Sequence, residues 1–235
     1  MLKKESITPV IMGTDEWFAG RLGRFTSSEI YHLMGAKGIG EGGLSYIYRK
    51  VGEELSGLPC RREISTEATE HGNVYETENL RKFGQKKGLE FLLVQTLIKP
   101  PNSRHASTPD ALIDYGESQD CTERNVHTVE CKCPLSFDGY IRLWKCKTPA
   151  QVKKEYPQYY WQVLHQMFVA DALVGYLSIY HPNFKAGNLN IVTFNKMEII
   201  KSTMVGDTND FKLLNQRCTE AFRIFEETRT EMINS

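Results

Sequence analysis

The sequence predicts an α/β fold in which one mixed central β-sheet is flanked by helices. Three observations lead there. Helical spacing of apolar residues dominates the first third, β-prone alternating runs fill the middle, and a helix, two strands and a helix close the chain. No internal repeat and no long linker interrupts this order, so the 235 residues read as one domain.

Taken in order, residues 14–34 read as two short helical pieces. Asp15-Glu16-Trp17-Phe18 opens the first, and Thr26, Ser27 or Ser28 is placed to cap the second, which carries Ile30, Leu33 and Met34. Gly35 to Gly43 holds five glycines and reads as a mobile loop; it lacks the Gly-Lys-Ser/Thr of a nucleotide loop. Leu44–Leu55 is expected to be helical, and a longer helix is expected over Thr66–Phe83. On that helix Gly72, Glu76, Leu80 and Phe83 share one stripe, which places a carboxylate either at a solvated edge or facing inward with a partner. Leu89–Ile98, Arg104–Ser107, Ala111–Tyr115 and Val126–Cys133 read as strands of an antiparallel meander. Helices over Thr148–Tyr156 and Gln158–Ala172, strands over Val174–Tyr180 and Asn190–Asn195, and a helix over Thr208–Met232 complete the reading.

Composition narrows the partners. Lys plus Arg equals Asp plus Glu at 29 each, so no global field draws the chain onto nucleic acid, and any DNA contact must be local to a lined groove. No apolar run is long enough to span a bilayer and Met1 to Ser6 lacks a signal-peptide core, so a cytoplasmic location without membrane contact is expected. Cys60, Cys121, Cys131, Cys133, Cys146 and Cys218 are expected to be reduced thiols, mostly buried.

The chemistry concentrates on Thr128-Val129-Glu130-Cys131-Lys132-Cys133. Strand alternation puts Glu130 and Lys132 on one face and turns Val129, Cys131 and Cys133 to the other. Opposite charges on a strand bracketed by apolar residues need a partner: each other, a metal or a substrate. Asp110, preceded by Pro109, supplies a second carboxylate from a neighbouring strand, and crowded carboxylates invite a divalent cation. Hard oxygen donors favour magnesium or manganese over zinc, and no local spacing of histidines or cysteines reads as a zinc site. Such an ion would polarise a phosphodiester while Lys132 orients water and offsets developing charge. A plain ion pair of Glu130 with Lys132 is the competing structural explanation.

Pro109-Asp110 followed by Glu130-x-Lys132 resembles the PD-(D/E)xK nuclease motif, whose core is restriction-endonuclease-like. Further blocks sharpen this to a resemblance to the λ-exonuclease (YqaJ-type viral recombinase) family. They are Trp17-x3-Arg21-x-Gly23-x2-Thr26-x-Ser28, Gly72-x3-Glu76, Ser107-x-Pro109-Asp110, Glu130-x-Lys132-Cys133-Pro134 and Tyr160-x-Gln162-Val163-x2-Gln166-Met167, with Tyr180-x-Pro182 closing the series. The resemblance implies a single nuclease domain over residues 1–235. Glu76, Asp110, Glu130 and the backbone carbonyl of Cys131 would bind magnesium, for which manganese would substitute. Lys132 would be the catalytic lysine and Gln162 would support the site. Arg21 and Ser28 would hold the 5′-phosphate of the digested strand. Read from the residues alone, Gln162 is a helix-surface amide, Arg21 a surface charge and Ser28 a helix cap. Two positions depart from the family: Ala111 stands where glycine is usual, which questions the local turn, and Cys131 replaces an aliphatic residue.

What the resemblance implies for function is a 5′-to-3′ exonuclease on double-stranded DNA ends, assembled as a homotrimer. It would be encoded by a phage or prophage, work in the bacterial cytoplasm, and pass single-stranded DNA to a single-strand-annealing protein. The alternatives are another nuclease of the superfamily, Cas4-like or restriction-type, and a non-catalytic DNA-end-binding protein. The chain lacks the iron–sulfur cysteine pattern of the Cas4-like group and retains every acidic position and the lysine.

Overall fold

The computed structural model describes residues 2–60, 66–89, 92–101, 103–117 and 123–235. The first half contains β1 (Leu2–Lys3), β2 (Ile7–Pro9), α1 (Asp15–Arg21), β3 (Phe25–Thr26), α2 (Glu41–Ser56), α3 (Glu67–Lys87), β4 (Leu93–Val94), β5 (Thr96–Ile98), β6 (His105–Ala106) and β7 (Ala111–Glu117). The second half contains β8 (Glu123–Lys132), α4 (Phe137–Trp144), α5 (Pro149–Glu155), α6 (Pro157–Val169), β9 (Val174–Tyr180), β10 (Leu189–Asn195), α7 (Lys196–Ser202) and α8 (Asp210–Asn234).

The central sheet runs β10-β9-β8-β7-β4, with β1 pairing the start of β8. Its pairs are antiparallel except β8 with β9, which are parallel. A parallel neighbour cannot be reached through a tight turn, and the crossover here carries α4, α5 and α6. The sheet is therefore mixed, as expected.

Alternation sorts the two faces. Ala111, Ile113, Val129, Cys131 and Tyr176 pack on one side beneath Leu80 and Phe83 of α3. Leu112, Val126, Leu177 and Ile179 face the other side, where α6 lies with α2 and α8 behind it. Helix α3 obeys its stripe: Leu80 and Phe83 are buried, while Glu76 and Gly72 lie one and two turns nearer the helix start at the sheet's edge. Thr66 caps it through the Thr69 amide and Gly88 ends it at φ 68°.

Helix α6 is enclosed on nearly all sides, with nine of its residues buried, including Gln162, His165 and Gln166. Polar side chains inside such a helix must find partners. Its close approach depends on Gly175 at the start of β9: a Cβ there would lie 2.9 Å from Met167 Cγ and Sδ and from Val163 Cγ1.

Several expectations are corrected. The second helical piece is a four-residue 3-10 turn, Ile30–Leu33, with Glu29 at its cap position and no side-chain cap bond, because Thr26 is already committed to β3. The glycine-rich loop ends early: Gly40 caps α2, and buried Gly43 lies inside that helix where a Cβ would stand 2.9 Å from the His32 carbonyl oxygen. The expected strand over Leu89–Ile98 is split into β4 and β5 at Gln95, whose φ is 53°. Strand β5 pairs with β2 rather than joining the meander, and β6 pairs in parallel with β3. Helices α4 and α7 were not anticipated; each follows a side-chain cap, Ser136 and Asn195. Cys131, Cys133, Cys146 and Cys218 are buried free thiols and Cys60 is an exposed one, whereas Cys121 lies outside the described residues. No helix among the described residues is long and apolar enough to cross a membrane.

The packing at Gly175 yields a test. Gly175→Val should destabilise the protein by about 1–3 kcal/mol through overpacking against α6. Urea unfolding of the variant beside the parent checks it; unchanged stability would show that α6 does not depend on this close approach.

Candidate active site

Strands β7 and β8 are antiparallel, so the beginning of one and the end of the other meet at the same edge of the sheet. Asp110, immediately before β7, and Glu130 to Lys132, at the end of β8, are thereby neighbours. The Cys131 amide donates to Asp110 Oδ2 at 2.6 Å, locking the carboxylate across the strand pair. Ala111 is an ordinary strand residue paired with Val129, with no left-handed backbone angle, so this turn does not require the glycine usual there.

Glu130 is 3% exposed and points to the α6 face. Lys132 Nζ donates to its Oε1 at 2.6 Å. Gln162 Nε2 also donates to Oε1, and Gln166 Nε2 donates to Oε2. The ion pair considered from sequence is thus present, but it is one of three contacts that hold the carboxylate. Gln162 is an inward amide rather than a helix-surface one. Gln166, one turn beyond it, is the site residue that sequence reasoning left without a role, although its i+4 spacing from Gln162 places it on the same face.

Glu76 arrives from α3 on the opposite side of the sheet. Buried Asn79, one turn short of Phe83, ties that helix to β9: its Nδ2 donates to the Ser178 carbonyl at 3.1 Å, and Ser178 Oγ donates back to Oδ1. The half-buried position of Glu76 brings it into the electrostatic field of the other acids.

Arg21, at the end of α1, lies with its guanidinium 3.9 Å from the Trp17 ring centroid. It donates through Nη1 to Thr108 Oγ1 at 3.0 Å and through Nη2 to Ser28 Oγ at 3.5 Å. Ser28 is exposed and caps no helix. One cleft of about 440 Å³ is lined by Arg21, Ser28, Glu76, Asp110, Glu130, Cys131, Lys132 and Gln162, so every residue singled out from sequence borders the same space. Thr108 also lines it and joins the arginine end to Asp110 through Pro109.

The charges are unbalanced. Burial, then the nearby Glu130 and Glu76 carboxylates, pushes the Asp110 carboxyl well above its usual range. Burial and Glu130 raise Glu76 in the same direction. Lys132 is held protonated, because the attraction of Glu130 and Asp110 outweighs the burial that would discharge it. Its ammonium also sits 4.8 Å from the Tyr159 ring centroid. Burial raises the Cys131 thiol, keeping it neutral beside these acids. Glu130 turns both oxygens to Lys132 and the two amides.

Residues 16–173 match the model of the YqaJ-like viral recombinase domain. The chain belongs to that family. Among curated proteins no relative matches its sequence. The YqaJ-like chain is similar in fold to a crystal structure of an alkaline exonuclease, LHK-Exo, from Laribacter hongkongensis, with 18% identity, TM-score 0.70, and 94% of this chain and 97% of that one covered. A structure of LHK-Exo in complex with dAMP matches at 20% identity and TM-score 0.68, covering 93% and 96%. A phage related exonuclease from Haemophilus somnus 129PT matches at 13% identity and TM-score 0.61, covering 89% and 96%. The YqaJ-like fold, a mixed sheet between helices, is that of the alkaline exonuclease LHK-Exo.

Asp110→Asn should stabilise this YqaJ-like protein by about 1 kcal/mol in chelator, because it removes repulsion while an amide oxygen still accepts from Cys131. The pH sign follows from the raised carboxyls: between the unfolded and folded pKa values the native state binds more protons, so parental stability should fall as pH rises through that window. Thermal unfolding in chelator from mildly acidic to mildly alkaline pH checks both. A destabilised Asp110→Asn, or parental stability that rises across that window, would contradict the charge assignment.

Proposed function

We propose that this chain is a magnesium-dependent exonuclease that enters at the end of linear double-stranded DNA and hydrolyses the 5′-ended strand, leaving single-stranded DNA for recombination by strand annealing. The observation that carries the reading is the meeting of Glu76, Asp110, Glu130 and Lys132 in a cleft that Arg21 and Ser28 also line. Membership of the viral recombinase family and the alkaline-exonuclease fold support it.

The donor set fits the ion. Carboxylates and a peptide oxygen are the hard ligands magnesium prefers, and burial followed by the neighbouring carboxylates raises Glu76 and Asp110 even with the Lys132 ammonium beside them. Magnesium keeps several of its waters and takes only part of its shell from carboxylates. Glu76, Asp110 and Glu130, with the main-chain carbonyl of Cys131, would hold it, and manganese would substitute. When bound, the ion would polarise the scissile phosphate and make water more acidic.

The remaining work falls to the chain. Lys132, kept charged by Glu130, donates hydrogen bonds rather than accepting a proton; it orients the attacking water and offsets charge building on the phosphate oxygens. Gln162 and Gln166 hold Glu130 in one rotamer, so that Lys132 and the acids keep their spacing. Arg21 and the Ser28 hydroxyl receive the 5′-terminal phosphate, a planar guanidinium being suited to paired phosphate oxygens. Because Thr108 bonds to Arg21 and leads directly to Asp110, the gripped end sets which phosphodiester lies over the acids. In this reading the protein works in the bacterial cytoplasm as a phage-encoded homotrimer beside a single-strand-annealing protein.

The test is a linear duplex labelled separately on each strand, with 5′-phosphate or 5′-hydroxyl ends, beside a closed circle, with and without magnesium. Loss of only the 5′-phosphorylated strand, dependent on magnesium, is expected. Lys132→Ala should slow it by about 100-fold or more, and Arg21→Ala should shrink the preference for a 5′-phosphate by about tenfold. Equal cutting of the circle would overturn the exonuclease reading, and full activity in Lys132→Ala would remove the role given to that lysine.

A further inference from the structure

The enclosed helix α6 carries a third buried polar residue that the acidic cleft does not use. His165 is fully buried, and both ring nitrogens are engaged: Nδ1 with Ser27 Oγ at 2.8 Å and Nε2 with His105 Nδ1 at 3.0 Å. Cys218, 2% exposed on α8, completes a set in which the two imidazoles and the thiol each place a ligand atom within 4.8 Å of the others. No sequence spacing reveals this set, since its members come from β6, α6 and α8.

We propose that His105, His165 and Cys218 form a metal site for zinc, distinct from the acidic cleft. Two imidazole nitrogens and a thiolate are donors that select zinc over magnesium. An opening of about 210 Å³, bordered by His105, Cys218 and Asn215, gives an entry path and room for a fourth ligand. Ser27 supplies the hydrogen bond that orients a metal-binding histidine: with its Nδ1 proton donated to Ser27, His165 presents Nε2 as a lone pair. Burial and Arg24 lower His105 to about 4, so its ring is neutral as a ligand must be. On binding, Cys218 releases its thiol proton to solvent and the His105 proton moves from Nδ1 to Nε2, so that the thiolate cancels one of the two charges the zinc ion brings. The ion would staple β6, α6 and α8 together. It would also fix Ser27, which holds Ser107 Oγ at 3.0 Å and lines the acidic cleft beside Ser28.

This site does not rest on the nuclease reading, and its test reads metal rather than DNA. The full chain, stripped of metal and kept in excess magnesium, is titrated with zinc against a chromophoric zinc chelator and, separately, with cobalt(II). One zinc per chain should compete with the chelator, and cobalt should show a thiolate charge-transfer band. His105→Asn and Cys218→Ser should each weaken zinc by more than about tenfold, and Cys218→Ser should abolish the band. Circular dichroism verifies folding, and half-buried His105 is the safer substitution if Cys218→Ser unfolds. Asp110→Asn should leave zinc binding intact. Absence of competition, equal binding in both ligand variants, or loss of zinc in Asp110→Asn would each overturn the proposal.

Discussion

A carboxylate 3% exposed inside a protein is costly unless its charge is met on the spot, and Glu130 is met by Lys132, Gln162 and Gln166 together. Each partner imposes a condition on the fold. Lys132 must follow on the same strand at a spacing of two. The glutamines must be one helical turn apart on a helix that crosses that face of β8. Removing any partner leaves part of a buried charge uncompensated, which is why this small group governs so much of the surrounding structure.

The helix can lie there only because β9 is parallel to β8 and carries a glycine as its second residue. The crossover from β8 to β9 supplies α6, and Gly175 lets Met167 and Val163 approach the strand backbone. On the other face, the Asn79–Ser178 link ties α3 to the same β9, bringing Glu76 round the sheet's edge. Two helices on opposite faces are thus referred to one strand. The result is a cleft in which burial, and then mutual repulsion, raises the Asp110 and Glu76 carboxyls.

Much of this is readable in the sequence where the signal is periodic. Alternation along Thr128–Cys133 sorted Glu130 and Lys132 from Val129 and Cys131 correctly, and the stripe on α3 put Glu76 beside Leu80 and Phe83. Periodicity could not decide whether Glu76 faced solvent, because that depends on a helix wrapping a sheet edge. Gln162 looked like a surface amide, and Gln166 drew no role, because only the neighbours of α6 reveal that it is buried on nearly all sides. The glycine-rich stretch misled for the opposite reason: Gly43 is there for the close passage of the His32 carbonyl, not for mobility. Strands as short as β3 and β6 leave no period at all, and the His105–His165–Cys218 set is assembled entirely by tertiary contact.

The central claim is that the acids around Glu130 are a divalent-ion centre rather than a buried ion pair with incidental neighbours. Crystals soaked in manganese and measured at its anomalous edge test it most directly. The account predicts an anomalous peak in the cleft among Glu76, Asp110 and Glu130, lost in Asp110→Asn. A cleft without anomalous density under saturating manganese, or a peak unaffected by that substitution, would contradict it.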